Sequence, residues 1–529
     1  MIVHKFGGTS VKNAERFANV AEIVISQHQK SKNTPVQADR KVSTLQGSVV
    51  VVSAMSGVTD QLVAGGRAAA EGKDSIYRDI KARLLTRHLE VVEALLVRSP
   101  ERLEVGGLVE DRLHDLERLY RSIAVLGEFT VRGSDAVNSL GEQLSSSILA
   151  AVLRERGERA QAVSATELIV TDENFGAANP IQALTNQRLV QRIAPLVERG
   201  VIPVITGYIA ATERGVTTTL GRGGSDYTAA IIGAGMGAEE VWIWSDVDGI
   251  LTADPNLVPE ASTLAELSYA EASELAYYGA DVLHPKTIRP VTESNTPLRI
   301  LNSYNPSHPG TLIVRQPNPK RQLWPAIIST TGLSLIAVGT QDDRSGIDHQ
   351  WTQRDAARAL RILSEAGVEV PLFSQSFSEH RLNLVVREQN QAHCLNVLRR
   401  EFGGNQSWRQ SDSQVEDVIA SPGGDRKTNG IYHLGVKEKV ATVSVVGFPG
   451  SGHTQGWSEE GSLPAGSARP IETTVSKTFT ALGKHGTRVI AVAQAGTESS
   501  VSFCIPEEQV ESTVKFLHHE LGPEVKNGH

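Results

Sequence analysis

Several things that define whole classes of protein are scarce in this chain. Its 529 residues include two cysteines, Cys394 and Cys504, far apart and each in an apolar run. That excludes a disulfide scaffold and a thiolate zinc site, and suggests small buried hydrophobes in a reducing compartment. No run of 18 apolar residues occurs, which argues against a membrane-spanning helix. The opening Met1-Ile2-Val3-His4-Lys5 lacks the long apolar core of a signal peptide. Aromatic residues make up 5%, so the cores must rest on Val, Leu, Ile and Ala. Positive charge is outnumbered: 52 Lys and Arg face 60 Asp and Glu, a formal charge of -8, which speaks against a nucleic-acid binder working through bulk charge. Hydrophobic residues at 40% and charged residues at 21% are ordinary for a globular protein and exclude a disordered chain. The expectation is a cytoplasmic protein without nucleic-acid or membrane partners. At about 150 residues per domain it should hold three or four domains.

Residues 1–315 read as alternating strands and helices. Val49-Val50-Val51-Val52 is a continuous β-branched run, and Val201 to Ile205 and Val241 to Trp244 resemble it; such runs mark strands buried on both faces. Between them, Ala14, Phe17, Ala18, Ala21 and Val24 share a helical face, with Asn13 placed as its cap. The expected fold class is α/β, a mostly parallel sheet flanked by helices. Residues 76–126 are strongly helical without strand signals, an insertion read as a lid or an interface. Residues 316–330 read as a proline-bearing linker. Beyond it come two similar units, 331–405 and 436–525. The first reads as a strand from Leu333 to Val338, a helix from Thr352 to Ala366, a strand from Val368 to Phe373, a strand from Arg381 to Val386 and a helix from Gln391. In the second, Ala441 to Val446, a helix near Ser476 to His485, Thr487 to Gln494, Val501 to Ile505 and a helix from Glu507 take the same order. Both follow the ferredoxin-like βαββα plan, with room for a closing strand. Residues 403–435 and 448–470 are rich in Gly, Ser and Pro and read as mobile loops.

Glycine-bearing turns follow several strands. Lys5-Phe6-Gly7-Gly8-Thr9-Ser10 leads from a strand into a helix, where backbone N–H groups and a lysine can meet phosphate oxygens; a plain strand-to-helix turn has the same composition. Gly221-Arg222-Gly223-Gly224-Ser225-Asp226 adds a guanidinium fork suited to carboxylate or phosphate, and a carboxylate that serves equally as a helix cap. Ser245-Asp246-Val247-Asp248-Gly249 ends another strand, a magnesium or ribose site or simply a polar turn, and Ser53 to Thr59 ends a fourth. Strand ends of an open parallel sheet are where ligands bind, so one crevice should gather these turns.

Taken with Gly279-Ala280-Asp281-Val282-Leu283-His284-Pro285, these motifs in this order resemble the aspartate kinases along the whole chain. The paired units resemble the ACT domains that end those enzymes and bind amino-acid effectors. No second dinucleotide fingerprint precedes His529, unlike the fused kinase–homoserine dehydrogenases. The resemblance implies transfer of the γ-phosphoryl of ATP to the β-carboxylate of L-aspartate, giving 4-phospho-L-aspartate for the lysine, threonine and methionine branch. It implies Lys5 and Asp226 as catalytic residues. Ser53, Thr59, Glu142, Arg222 and Ser225 would bind aspartate, Arg222 taking a carboxylate and Glu142 the ammonium. Lys5, Gly7, Gly8, Ser245, Asp246, Leu251, Asn256 and Asp281 would face ATP. Magnesium would arrive on the ATP phosphates, with no metal site of the chain's own. Gln375 and Gln494 would bind an effector, lysine or threonine, and the ACT units would join chains into a homodimer or homotetramer. Asn256 and Asp281 stand where relatives usually carry Arg and Lys, which weakens the ATP side unless Lys286 or Arg289 compensates. Rival readings are a kinase of the same fold acting on glutamate or carbamate, and a non-catalytic amino-acid sensor.

Overall fold

The computed structural model describes residues 1–33, 45–97, 99–278, 283–318, 321, 324–340, 351–376, 381–402, 432–447, 474–494 and 500–522. They form two compact units, one of residues 1–250 and 263–321, the other of 251–262 and 322–529.

In the first unit the β-branched runs are strands, Ser48–Val52 and Ile202–Thr206, buried along their whole length. Alternate residues of a strand face opposite sides, and Val50 and Val52 duly enter a core that omits Val49 and Val51. Eight strands form one sheet, in the order Ala160–Val163, Ile202–Thr206, Ser48–Val52, Ile2–Phe6, Glu240–Ser245, Leu298–Asn302, Thr311–Val314, Glu266–Ser268. Only the Leu298–Asn302 and Thr311–Val314 pair is antiparallel. Ile2–Phe6 is central, and Phe6 lies level with Val52 on one side and Trp244 on the other. The chain therefore leaves three neighbouring strands at one edge, at Gly7, Ser53 and Ser245. A smaller sheet of Val170–Thr171, Ile209–Thr212 and Thr217–Thr219 adjoins the end of Ile202–Thr206.

Asn13 caps the first helix, Ala14–Asn33, its Oδ1 accepting from the Arg16 amide at 3.0 Å. The 76–126 segment is two long helices, Asp74–Leu95 and Ser99–Leu126. Tyr77, Ile80, Leu84, Val109, Leu113, Leu116 and Tyr120 are buried in the same core as the sheet. Tyr120 also donates to the Leu62 carbonyl at 2.8 Å. A lid must leave the body at small cost, and this hairpin would expose several large apolar side chains at about 1.5–3 kcal/mol each. The lid reading is therefore set aside.

The second unit carries a six-stranded antiparallel sheet, in the order Leu372–Ser376, Arg381–Arg387, Ala326–Thr340, Tyr432–Val446, Ser500–Pro506, Ala491–Gln494. Its two 15-residue strands pair along their length, with irregular register near Leu333. Each is shared. The Leu333–Gly339 half of one pairs with Arg381–Arg387, and the Val440–Val446 half of the other with Ser500–Pro506. Each half-sheet thus takes its fourth, closing strand from the other's long strand, which completes the βαββαβ plan. Residues 326–330, expected in the linker, are that closing strand for the C-terminal half. Two other strands begin later than the sequence suggests. Pro371 offers no N–H, so the expected Val368–Phe373 strand is Leu372–Ser376, and Gln375 lies inside it opposite Leu382. The Thr487–Gln494 strand is confined to Ala491–Gln494. Of the expected loops 403–435 and 448–470, residues 403–431 and 448–470 lie outside the described residues, whereas 432–435 begin the Tyr432–Val446 strand.

Residues 251–262 belong to this second unit although they follow a strand of the first. Ala253 and Val258 pack in one core with Ile327, Val443, Phe503 and Leu517. Thr252 accepts from the Ile327 amide at 2.7 Å through its carbonyl, and its hydroxyl lies 3.0 Å from His518 Nε2.

Candidate active site

The edge where three parallel strands end brings the glycine-bearing turns together. Gly8 passes so close to the Ser53–Thr59 turn that a Cβ there would stand 3.0 Å from the Ala54 carbonyl oxygen. At Gly7 a Cβ would meet Lys5 Nζ at 3.4 Å. The Gly-Gly pair thus lets the turn close over the lysine. The helix Gly224–Met236 starts at Gly223, which takes φ +70°, a conformation glycine adopts without strain. Asp226 is therefore not the cap but a first-turn residue, and its carboxylate lies 2.5 Å from the Lys5 ammonium. Ser225 shares that turn, where backbone N–H groups lack intrahelical acceptors. A Cβ on Gly207, at the end of the Ile202–Thr206 strand, would stand 2.6 Å from Ser225 Oγ, so the strand end and this helix start touch. Arg222 is exposed on the turn itself.

Glu142 projects from the Val131–Glu155 helix and is 3% exposed. Burial pushes its carboxyl up to about 8, against a hydrogen bond from the Ala54 backbone that favours the anion. Its Oε2 has no hydrogen-bond partner. Ser53, half-buried, donates its amide to the Phe6 carbonyl at 3.1 Å, and Thr59 lies in the first turn of Val58–Ala70. Sequence reasoning missed Asp135, Asn138 and Tyr208. Asp135, 1% exposed, accepts from Thr219 Oγ1 at 2.7 Å and from the Gly176 amide at 2.9 Å, tying the small sheet to the helix. Tyr208 holds φ +68°, rare for a residue with a side chain, and its hydroxyl bonds Thr219 and Asn138. The signal was available: positions 135, 138 and 142 recur at helical spacing, interleaved with Val137, Leu140, Leu144 and Ile148 and followed by the buried Ser145 and Ser146.

On the other flank, Ser245 Oγ donates to Asp246 at 3.2 Å, and Asp246 is exposed. Asp248 accepts from Asn302 Nδ2 at 2.9 Å and Asn305 Nδ2 at 3.1 Å, so it braces two turns. Ser303 donates its amide to the Ser245 carbonyl at 2.9 Å and receives the buried Arg16 guanidinium at its own carbonyl at 3.0 Å. Neither Arg16 nor Ser303 stands out in the sequence. Leu251 and Asn256 fall in the second unit, and Asn256 Nδ2 is occupied by Asp254 at 3.0 Å. Asp281 lies outside the described residues. Arg289 pairs with Glu293 at 2.9 Å, while Lys286 is exposed. Among the described residues no group of three His, Cys, Asp or Glu could hold a metal ion, and no helix is long and apolar enough to cross a membrane. The pair expected to bind an effector divides: Gln375 is partly buried with its Nε2 unpartnered, and Gln494 is exposed.

A buried carboxyl with one unpartnered oxygen, an exposed guanidinium and a lysine–aspartate pair at the ends of parallel strands suit an anionic amino acid and a phosphate donor. Comparison with known proteins agrees. Residues 1–302 match the amino acid kinase family, and residues 473–521 match the ACT domain. The chain is 32% identical to aspartokinase 3, chloroplastic, of Arabidopsis thaliana over 412 residues, covering 75% of this chain and 70% of that protein. Against aspartokinase 1, chloroplastic, of the same plant the identity is 28% over 520 residues, covering 98% and 79%. The solved structure of E. coli aspartokinase III in complex with aspartate and ADP superposes with a TM-score of 0.70 at 25% identity, over 98% of this chain and 99% of that one. The chain belongs to the amino acid kinase family and, within it, to the aspartokinases.

Proposed function

We infer that this chain transfers the γ-phosphoryl group of ATP to the β-carboxylate of L-aspartate, the first committed chemistry towards lysine, threonine and methionine. The observation that carries the site assignment is the Lys5–Asp226 pair beside the Gly7-Gly8 turn. Aspartate's β-carboxylate, with an ordinary pKa of about 3.9, is already ionised at neutral pH, so no general base is needed. One carboxylate oxygen attacks the γ-phosphorus, the bond to the β,γ-bridging oxygen breaks, and ADP departs. The obstacle is bringing an anion up to a triphosphate, so cations and alignment carry the catalysis. Lys5 supplies the mobile charge at the transferring group, and Asp226 holds it in place. The first turn of Gly224–Met236 and the Gly7-Gly8 turn supply N–H donors. Arg222 receives the α-carboxylate, Glu142 the ammonium, and Ser53, Thr59 and Ser225 line the aspartate pocket. Ser245 and Asp246 take the nucleotide side. Magnesium would enter on the ATP phosphates, which it reaches with few protein ligands.

Release of ADP with L-aspartate, set against L-glutamate, tests the reading. Turnover confined to L-aspartate is expected, and equal turnover with glutamate or none with either would overturn it. Arg222→Lys keeps the charge but loses the planar fork, and should raise the aspartate KM rather than the ATP KM.

Regulation by an amino acid, lysine or threonine, is supported by the ACT match and by Gln375, whose buried Nε2 lacks a partner. Chains would join through the ACT units as dimers or tetramers. Calorimetric titration of lysine and threonine, with and without aspartate, tests this, because an inhibitor that lowers aspartate affinity must itself bind less tightly beside aspartate. Two buried free cysteines, Cys394 and Cys504, fit a reducing, cytoplasmic setting.

A further inference from the structure

The inner stripe of the Val131–Glu155 helix carries three buried side-chain oxygens without a hydrogen-bond partner, those of Asn138, Glu142 and Ser145, and the first two are acceptors one turn apart. Asn138 and Glu142 stand four residues apart, one helical turn, at 5% and 3% exposure. Asn138 Oδ1 and Glu142 Oε2 both lack a hydrogen-bond partner. Each side chain is held at its other end. Asn138 Nδ2 donates to Ser134 Oγ at 3.2 Å, which orients the amide with its oxygen as the free end. Glu142 takes the Ala54 backbone N–H. Asp135, one turn earlier, is not available, because Thr219 and Gly176 already occupy its oxygens.

Buried acceptors without donors are uncommon and call for an explanation. Two of them a turn apart, one ionisable, complement a compact cation rich in donors. A primary ammonium has three N–H donors and no acceptor, so it can serve both oxygens at once. A hydroxyl, with one donor, cannot. We propose that Asn138 is a second receptor for the α-ammonium of the substrate, sharing it with Glu142, and that the pair selects the amino acid over a dicarboxylate that lacks the amine. This rests on the aspartate reading above, and it adds a residue and a basis for selectivity.

The test compares L-aspartate with succinate, the same dicarboxylate skeleton without the amine, used as a competitive inhibitor. Asn138→Leu keeps the volume and removes the acceptor. It should raise the aspartate KM about 10- to 100-fold, the effect of one hydrogen bond to a charged group, leaving kcat and the ATP KM near wild type. The succinate Ki should not move. Equal weakening of aspartate and succinate would mean that Asn138 only shapes the pocket, and would overturn the proposal. Tyr208→Phe should leave the aspartate-to-succinate ratio unchanged; if it reproduces the loss, Asn138 acts through Tyr208 and the proposal fails. Should Asn138→Leu not fold, Asn138→Ala is measured in its place with the same expectations. A wild-type chain that releases no ADP with L-aspartate overturns the aspartate reading itself, so the two failures are separable.

Discussion

The Lys5 ammonium and the Asp226 carboxylate meet at 2.5 Å, one at the end of the central strand and the other in the first turn of a helix more than 200 residues later. Both are largely shielded from solvent, at 11% and 15% exposure, so the pair fixes where the lysine's charge lies before any nucleotide binds. In the proposed phosphoryl transfer, such preorganisation would place charge where the transition state develops it.

Lys5→Ala should lower kcat by about 10²–10³, the loss seen when one such donor is removed, with a smaller change in the ATP KM. Steady-state kinetics with ATP varied at saturating aspartate check this. Near-normal turnover would make Lys5 a structural residue.

Glu142 predicts a pH dependence for aspartate binding. With its carboxyl pushed up to about 8 by burial, the ligand-free side chain is protonated at neutral pH. Asp135 and Tyr208 are the other titratable groups facing it, and both are pushed up by burial as well. Holding an ammonium requires the anion, so binding must expel a proton below pH 8. Aspartate affinity should rise about tenfold per pH unit between pH 6 and 8, then level off. Calorimetry at pH 7 in buffers of different ionisation enthalpy should find about one proton released per aspartate, and Glu142→Gln should abolish that release. Uptake of protons, or none exchanged, would show that Glu142 does not meet the ammonium.

Gly223→Ala tests the turn that carries Arg222. Its φ of +70° penalises any side chain, and a Cβ would stand 2.4 Å from the His284 Cβ. Strain of about 1–2 kcal/mol and crowding of about 1–3 kcal/mol should lower the melting temperature and raise the aspartate KM together. A fully stable variant with unchanged KM would show that the turn relaxes freely.

Acid should weaken the first unit through its buried histidines. Burial lowers His4 to about 3 and His88 to about 4. In the unfolded chain both take up protons near pH 6.5, so stability is full above that value and is lost as pH falls towards the folded values. Glu142, raised instead, works in the opposite sense over the same interval, so a difference between variants is the clean measurement. Between pH 6 and 4.5, His88→Gln should flatten the fall in stability by about 1.4 kcal/mol per pH unit relative to wild type. Denaturant titrations at each pH read this slope, and parallel slopes would mean that His88 titrates normally.

Much of this protein could be read from its sequence. The runs Val49–Val52 and Val201–Ile205 are short, β-branched and bounded by turns, a local pattern that leaves few alternatives to a buried parallel strand. Gly7 and Gly223 are legible for the same reason, since the approach of Lys5 and the positive φ lie within their own turns, whereas Gly8 and Gly224 are bare because Ala54 and Tyr208 crowd them. Asn13 caps its helix through a contact three residues long. What the tertiary structure decided are relations between distant segments. Local pattern says nothing of the Lys5–Asp226 pair, which exists because the first strand and the Gly224–Met236 helix are packed together. It made Glu142 an ordinary helical acid, whereas burial beside Ala54 raises its carboxyl and leaves one oxygen unpaired. It assigned residues 251–262 to the kinase segment and 326–330 to a linker, but Ala253 and Val258 bury themselves among Val443, Phe503 and Leu517, and Ala326–Thr330 pairs with Thr442–Val446. Secondary structure follows from interactions within a few residues. Which buried group meets which, and with what charge, depends on the register and packing of elements that only the folded chain brings side by side.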